Sequence, residues 1–275
     1  MIATPATAAR TGGRDLLAAA LRDSRTRTLA LLDAYVAALG EALTVPYSLQ
    51  LNPPLWEAGH VGWFQDFWIA RNRQRSLGIR CDPDHQRPDG RLSGADALYN
   101  SSRVAHATRW NLPLPDLAAT RAYLAAGLAD TLDLLAVAPE NDDGLYFFRL
   151  VLFHEDMHTE AAIYMAQALA IPLPAGLLGP ARTCAGSSVL SVPAQTWMLG
   201  YAGDGFAFDN ELSAHPVELG AFEIDADVVT WERYLPFLAA TSVEPPRYLR
   251  QRGDSWERNR FGAWEALPLE APATH

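Results

Sequence analysis

The feature that most constrains the fold of this chain is a change in hydrophobic period past its middle. Up to residue 170 apolar residues recur at the spacing that lines one face of a helix, whereas beyond residue 187 the runs are short and strand-like. Between them, Ile171 to Pro180 holds three prolines and two glycines in ten residues, a composition that neither helix nor strand carries. The reading is a helical domain over 1–172 and a mixed α+β domain over 184–275, and a chain of 275 residues is long enough to give each its own core.

Four helices are expected in the first part. Asp15 to Leu43 is amphipathic, with Leu16, Leu17, Ala20 and Leu21 and then Leu29, Leu32, Tyr35, Val36 and Leu39 on one face. Asn52-Pro53-Pro54 supplies a capping residue and prolines before Leu55 to Arg71. Asp116 caps a run to Val137, and Asn141 or Asp142 caps another to Ala170. Residues 1 to 12 read as a frayed terminus, and Arg73 to Asp96 as a long surface loop. In the second part Ser188 to Leu199 and His215 to Ile224 have β character, and Val229 to Ala239 is expected to be helical.

Composition narrows the partners. Twenty-two basic against 32 acidic residues give a formal charge of -10, which disfavours nucleic acid and anionic membranes and leaves a small molecule as the expected partner. No apolar run is long enough to span a bilayer and no signal-peptide pattern opens the chain, so a cytoplasmic protein is expected. Cys81 and Cys184 lie in separate segments and read as free thiols.

The chemistry concentrates in three histidines. His154 and His158, four residues apart in one helix, put both imidazoles on one face where they can share an ion. Such a pair alone also fits two helix-face histidines, just as His60 alone fits a hydrogen-bonded core residue. A position on another helix of the same bundle makes His60 a candidate third ligand, because bundle metal sites are built from inward side chains of facing helices. Glu155 turns the pair into HExxH, the helical signature of zinc hydrolases. That plan needs a third ligand downstream, where Thr159 to Ala170 offers only Glu160. A noncatalytic metal-binding module is the remaining alternative.

Asn52 to Arg71 (NPPLWEAGHVGWFQDFWIAR), Leu98-Tyr99-Asn100-Ser101 and His154 to Glu160 together resemble the DinB-like four-helix bundle of the ergothioneine-type sulfoxide synthases. Phe208-Asp209-Asn210-Glu211, His215-Pro216-Val217, Phe222 to Asp225 and Val228-Val229-Thr230 resemble the formylglycine-generating-enzyme-like, C-type-lectin-like domain that follows it in that family. The resemblance implies that His60, His154 and His158 hold one Fe(II), leaving positions for O2 and for a sulfur or selenium donor. It implies hercynine, the trimethylated betaine of histidine, as the substrate whose imidazole carbon forms the new bond. Glu160 is then expected to be a supporting carboxylate behind the ligands.

Two departures point to a branch of the family. Met157 stands where synthases using cysteine or γ-glutamylcysteine carry Gln, and Val104 to Pro113 replaces their arginine- and glycine-rich stretch. Since arginine forks clamp carboxylates, a changed clamp suggests a donor without them, and the NPPLWE and SSRVAH segments look closer to selenoneine synthase, whose donor is a selenosugar. Asn100, Arg103, Arg109 and Met157 are the expected substrate contacts. The family's VSW and RLPTEAEWE segments do not occur before His275, so the chain is expected to stop inside the second domain, with catalytic residues beyond it. Trp56, Trp63, Phe64, Phe67 and Trp68 read mainly as core, His106 and His215 as surface or domain-contact groups, and Asp209 to Glu211 as a turn and junction lacking EF-hand spacing.

Overall fold

The computed structural model describes residues 5–179 and 188–273, which divide into two compact units. The first unit runs to Ala166 and takes back Tyr201–Leu212; the second holds Gln167–Gly200 and the chain from Ser213 onward. Cys184 lies outside the described residues, and Cys81 is a free thiol. No helix of the described residues is long and apolar enough to cross a membrane.

The helical unit contains α1 (Pro5–Thr11), α2 (Arg14–Leu39), α3 (Pro54–Gln65), the short α4 (Ala95–Tyr99), α5 (Leu117–Ala136) and α6 (Asp142–Leu169). α2 buries Leu17, Leu21, Leu31, Leu32 and Tyr35, and ends at Gly40, whose φ of 77° suits glycine at a helix C-terminus. The helix therefore stops short of the expected Leu43. α5 begins as expected, with Asp116 accepting from the Ala119 amide at 2.8 Å, and Asn141 likewise accepts from Gly144. α3 starts differently: Pro54 occupies its first position, but Asn52 makes no cap and turns its side chain to Glu57 instead. The π-helical turn Asp66–Ala70 follows α3.

Leu17 and Leu21 meet Leu135, Phe148, Val151, Leu152 and Ile69 in an apolar cluster, which joins α2, α5 and α6. Trp56, Trp63, Tyr99 and Tyr123 form a second, aromatic cluster around α3. Here a glycine permits close approach. A Cβ on Gly59 would lie 2.3 Å from the Tyr99 ring, whereas one on Gly127 of α5 would meet only Gln65 Oε1 at 3.5 Å. Gly59→Ala is therefore expected to cost about 1–3 kcal/mol by overpacking. Gly127→Ala should instead be neutral or stabilise by up to about 1 kcal/mol, since alanine is the better helix former. Urea unfolding of the two variants checks the contrast, and equal effects would contradict the packing described.

The terminus expected to fray is in fact helical from Pro5, and its partner explains why. Arg10 donates to both oxygens of Glu211 at 3.0 and 3.1 Å, and the Phe206 amide donates to the Arg10 carbonyl. Local composition holds no trace of a partner some 200 positions away. Asp209–Glu211 is a single 3-10 turn, and beside it Phe206 is fully buried against Tyr146 and Phe153. The expected loop from Arg73 contains the 3-10 segment Arg75–Arg80.

The second unit has small antiparallel sheets. β1 (Val189–Val192) pairs with β4 (Phe222–Asp225), and β2 (Gln195–Leu199) with β3 (His215–Leu219), so each expected β segment is split between two pairs. A three-stranded meander follows: β5 (Leu249–Arg252), β6 (Ser255–Arg260) and β7 (Ala263–Ala266). With α7 (Trp231–Ala240) it encloses Trp231, Leu249 and Leu267. The meander escaped the sequence reading because its strands are rich in arginine and glutamate, which pair across it, Arg250 with Glu257 and Arg258 with Glu265.

Candidate metal centre

α3 and α6 bring the three histidines together. His154 Nε2 lies 3.2 Å from His60 Nε2 and 3.2 Å from His158 Nε2, with the three ligand atoms within 4.8 Å of one another. At a metal–nitrogen distance of about 2.1 Å, ligand angles of 90–110° separate neighbouring nitrogens by roughly 3.0–3.4 Å, which brackets these contacts.

The backs of the rings decide where their lone pairs point. His60 Nδ1 faces the Tyr99 carbonyl at 2.8 Å, and His158 Nδ1 faces Glu57 Oε2 at 2.5 Å. Both partners are acceptors, so both Nδ1 atoms carry the proton and leave Nε2 as a lone pair when the ring is neutral. Two lone pairs thus converge on His154 Nε2, which has at most one proton to offer. A cation between the three nitrogens satisfies all of them, so the donor set fits a metal ion.

The surroundings keep His60 and His154 neutral. Burial, helped by the neighbouring His158, lowers His60 to about 4 against the opposing pull of the Tyr99 carbonyl. Burial likewise drives His154 well below the ordinary imidazole value. Neutral imidazole is the form that binds metals. Trp56 stacks on His60 with centroids 4.9 Å apart, and Phe64 on His154 at 3.5 Å, so the expected aromatic belt also walls the imidazoles from water.

Glu57, which sequence reasoning missed, is 8% exposed. Burial raises its carboxyl, but the hydrogen bond and charge of His158, with His60 and Asn52, outweigh that and hold it below the usual carboxylate value. Its signal was present in the spacing: Glu57 precedes His60 by three residues and shares its helix face. Glu160, expected in this supporting place, is exposed.

Glu155 is engaged elsewhere. Its Oε1 accepts from Arg25 Nε at 2.7 Å and Thr28 Oγ1 at 2.8 Å, and its Oε2 accepts from Arg25 Nη2 at 3.1 Å. Arg25 donates further to Gln65 and to the Leu124 carbonyl. A carboxylate tied on both oxygens inside the core is no free base for a hydrolase.

The expected substrate contacts do not all gather at the histidines. Asn100 ends α4 and accepts from the Ser102 amide at 3.1 Å in a local turn. Arg109 donates to Asn52 Oδ1 at 2.8 Å and lies over the Trp56 ring, and Arg103 is exposed. Met157, beside His158, is 48% exposed. His106 binds the Leu51 carbonyl, and His215 is exposed.

Comparison with known proteins bears on this arrangement. The model of the DinB superfamily matches residues 20–162, which include all three histidines. The chain is 32% identical over 291 residues to the hercynine oxygenase of Mycolicibacterium smegmatis, a match covering 95% of this chain and 63% of that protein. Those of Mycolicibacterium thermoresistibile and Mycobacterium tuberculosis are 30% and 29% identical, each match covering 94% of this chain and 59% and 63% of those proteins. The chain belongs to the DinB superfamily, in the ergothioneine-type sulfoxide synthase family. This sulfoxide synthase-family chain spans about three-fifths of the length of the relatives it matches.

Proposed function

We propose that His60, His154 and His158 hold one Fe(II), and that the protein joins a selenium donor of the selenosugar class to the imidazole carbon of hercynine at the expense of O2. The observation that carries the proposal is the convergence of three Nε2 atoms, with the Nδ1 protons of His60 and His158 fixed from behind. The relatives named hercynine oxygenase support hercynine as the acceptor. In architecture we propose a four-helix bundle over 1–172 followed by a formylglycine-generating-enzyme-like portion over 184–275.

An iron ion held by His60, His154 and His158 would supply one-electron chemistry with O2. The residues do the rest. Tyr99 and Glu57 orient His60 and His158, and Trp56 and Phe64 exclude water from the rings they cover. Substrates held side by side react as positioned partners rather than by encounter. The exposed Met157 and Arg103 are the proposed contacts that remain open to a substrate.

The donor assignment rests on Met157, on the changed 104–113 segment and on Arg109. With its guanidinium bonded to Asn52 and spread over Trp56, Arg109 is committed within the protein rather than presented to a carboxylate. An ergothioneine-type reaction, with cysteine or γ-glutamylcysteine as donor, is the second reading, favoured by the family itself.

The test is a competition assay with iron-loaded protein, hercynine and O2, offering selenosugar, thiosugar, cysteine and γ-glutamylcysteine. Product from the selenosugar, dependent on iron and O2, is the expected result. Turnover of the amino-acid thiols alone overturns the donor assignment in favour of the second reading, and zinc-dependent hydrolysis without O2 overturns the oxidative proposal.

A further inference from the structure

The two imidazoles with fixed tautomers are held from behind by different chemistry. His60 donates to a neutral carbonyl, that of Tyr99, whereas His158 donates to an anion, Glu57. Glu57 is itself held, because its other oxygen accepts from Asn52 Nδ2 at 2.5 Å. Asn52 Oδ1 in turn accepts from Arg109 Nη1 at 2.8 Å, and the Arg109 guanidinium sits 3.9 Å from the centre of the Trp56 ring. Trp56 stacks on His60 at an interplanar angle of 8°. The contacts close into a ring that leaves the centre through His158 and returns through His60.

We infer that Glu57 is a positioning residue for a divalent cation at the three histidines, and that Asn52, Arg109 and Trp56 form the frame that holds its carboxylate in place. The inference rests on the metal reading above and assigns the work of this chain's own residues behind the ligands. By accepting the His158 Nδ1 proton, Glu57 fixes the ring with its Nε2 lone pair toward the ion and makes that nitrogen a stronger donor. It also places a buried negative charge one ring away from the cation, where three neutral ligands supply none.

The surroundings argue that this carboxylate is not there for packing. Glu57 and His158 border a cavity of about 50 Å³ whose other walls include Leu31, Leu32, Val61 and Met165. In such a wall an apolar side chain is the inexpensive choice, and a carboxylate is tolerated only when its oxygens are bonded. Both are, one by Asn52 and one by the ligand histidine. Arg109 holds Asn52 at the far end of the frame through its bond to Oδ1.

The test uses Co(II) as the probe, titrated into the protein and into Glu57→Gln and Asn52→Ala, with binding followed by calorimetry and by the visible spectrum of the bound ion. Glu57→Gln, which keeps shape and removes charge, is expected to weaken Co(II) binding by about 10–100-fold. Asn52→Ala should produce a smaller loss in the same direction. A structural defect alone would not move one further signature. In the Zn(II)-loaded protein the Nδ1–H resonance of His158 should shift upfield in Glu57→Gln, while that of His60, bonded to a carbonyl, stays in place. Thermal unfolding of the metal-free variants reports folding separately, and if Glu57→Gln fails to fold, Asn52→Ala carries the test. Tight Co(II) binding by the parent with affinities in both variants within about twofold of it, and an unmoved His158 resonance, overturns the inference while leaving the metal reading intact. Absence of Co(II) binding by the parent overturns the metal reading and the inference with it.

Discussion

Arg25→Ala is expected to destabilise the protein by about 3–5 kcal/mol, because it leaves the Glu155 carboxylate charged and unpaired inside the helical unit. The pair is 3% and 2% exposed, and the guanidinium also bonds Gln65 and the Leu124 carbonyl, so one substitution removes a donor from three groups at once. The neighbouring Arg27, whose side chain is 49% exposed in its pairs with Asp23 and Asp156, provides the contrast. Its removal should cost no more than about 1 kcal/mol, the range of solvated ion pairs. Replacing Arg25 and Glu155 together by apolar residues of similar volume should recover much of the loss, since most of it is the cost of an uncompensated charge. Denaturant unfolding of the metal-free proteins measures all three. A loss below about 1 kcal/mol for Arg25→Ala would show that water reaches Glu155, contrary to the burial described. The same pair bears on chemistry: Glu155→Gln should lower stability without removing the activity of the molecules that fold, the reverse of what a hydrolytic general base would show.

The second large effect is expected at the ligands. His154→Ala or His158→Ala should reduce Fe(II) or Co(II) affinity by more than the roughly 10–100-fold that loss of a supporting hydrogen bond costs. His60→Ala should do the same, although His60 lies on a different helix and 94 residues from His154 in sequence. Equilibrium dialysis under anaerobic conditions, with metal content per chain as the readout, checks each variant. Stoichiometric tight binding retained by any one of them would remove that residue from the ligand set. The metal-free His154→Ala protein should remain folded. His154 is buried against Phe64 with its charge suppressed, so an alanine there removes packing but no ion pair.

How far the sequence could be read followed from how local each signal was. Asp116 and Asn141 cap helices through bonds to residues three positions away, and such spacing is visible in a string of letters. His154 and His158 share a turn, so their pairing was equally legible, and His60 joined them because its helix carried a patterned apolar face. Arg10 with Glu211 and Arg25 with Glu155 were hidden, since each pair spans more than a hundred residues and nothing nearby in the chain marks either partner. Glu57 was overlooked for a different reason. Its spacing to His60 was readable, but choosing it over Glu160 required knowing that α3 presents it to His158 while Glu160 faces solvent. The strands β5 to β7 escaped because their charged residues pair across the meander, and a polar strand lacks the apolar alternation that marks one in sequence.

The central claim is that three imidazoles from α3 and α6 surround a single metal ion. X-ray absorption at the iron edge of anaerobically loaded protein tests it most directly. The account predicts one iron per chain with three imidazole nitrogens near 2.1 Å, and loss of one imidazole from the scattering pattern in His60→Ala. Fewer than three imidazoles in the parent, or a pattern unchanged by that substitution, would contradict it.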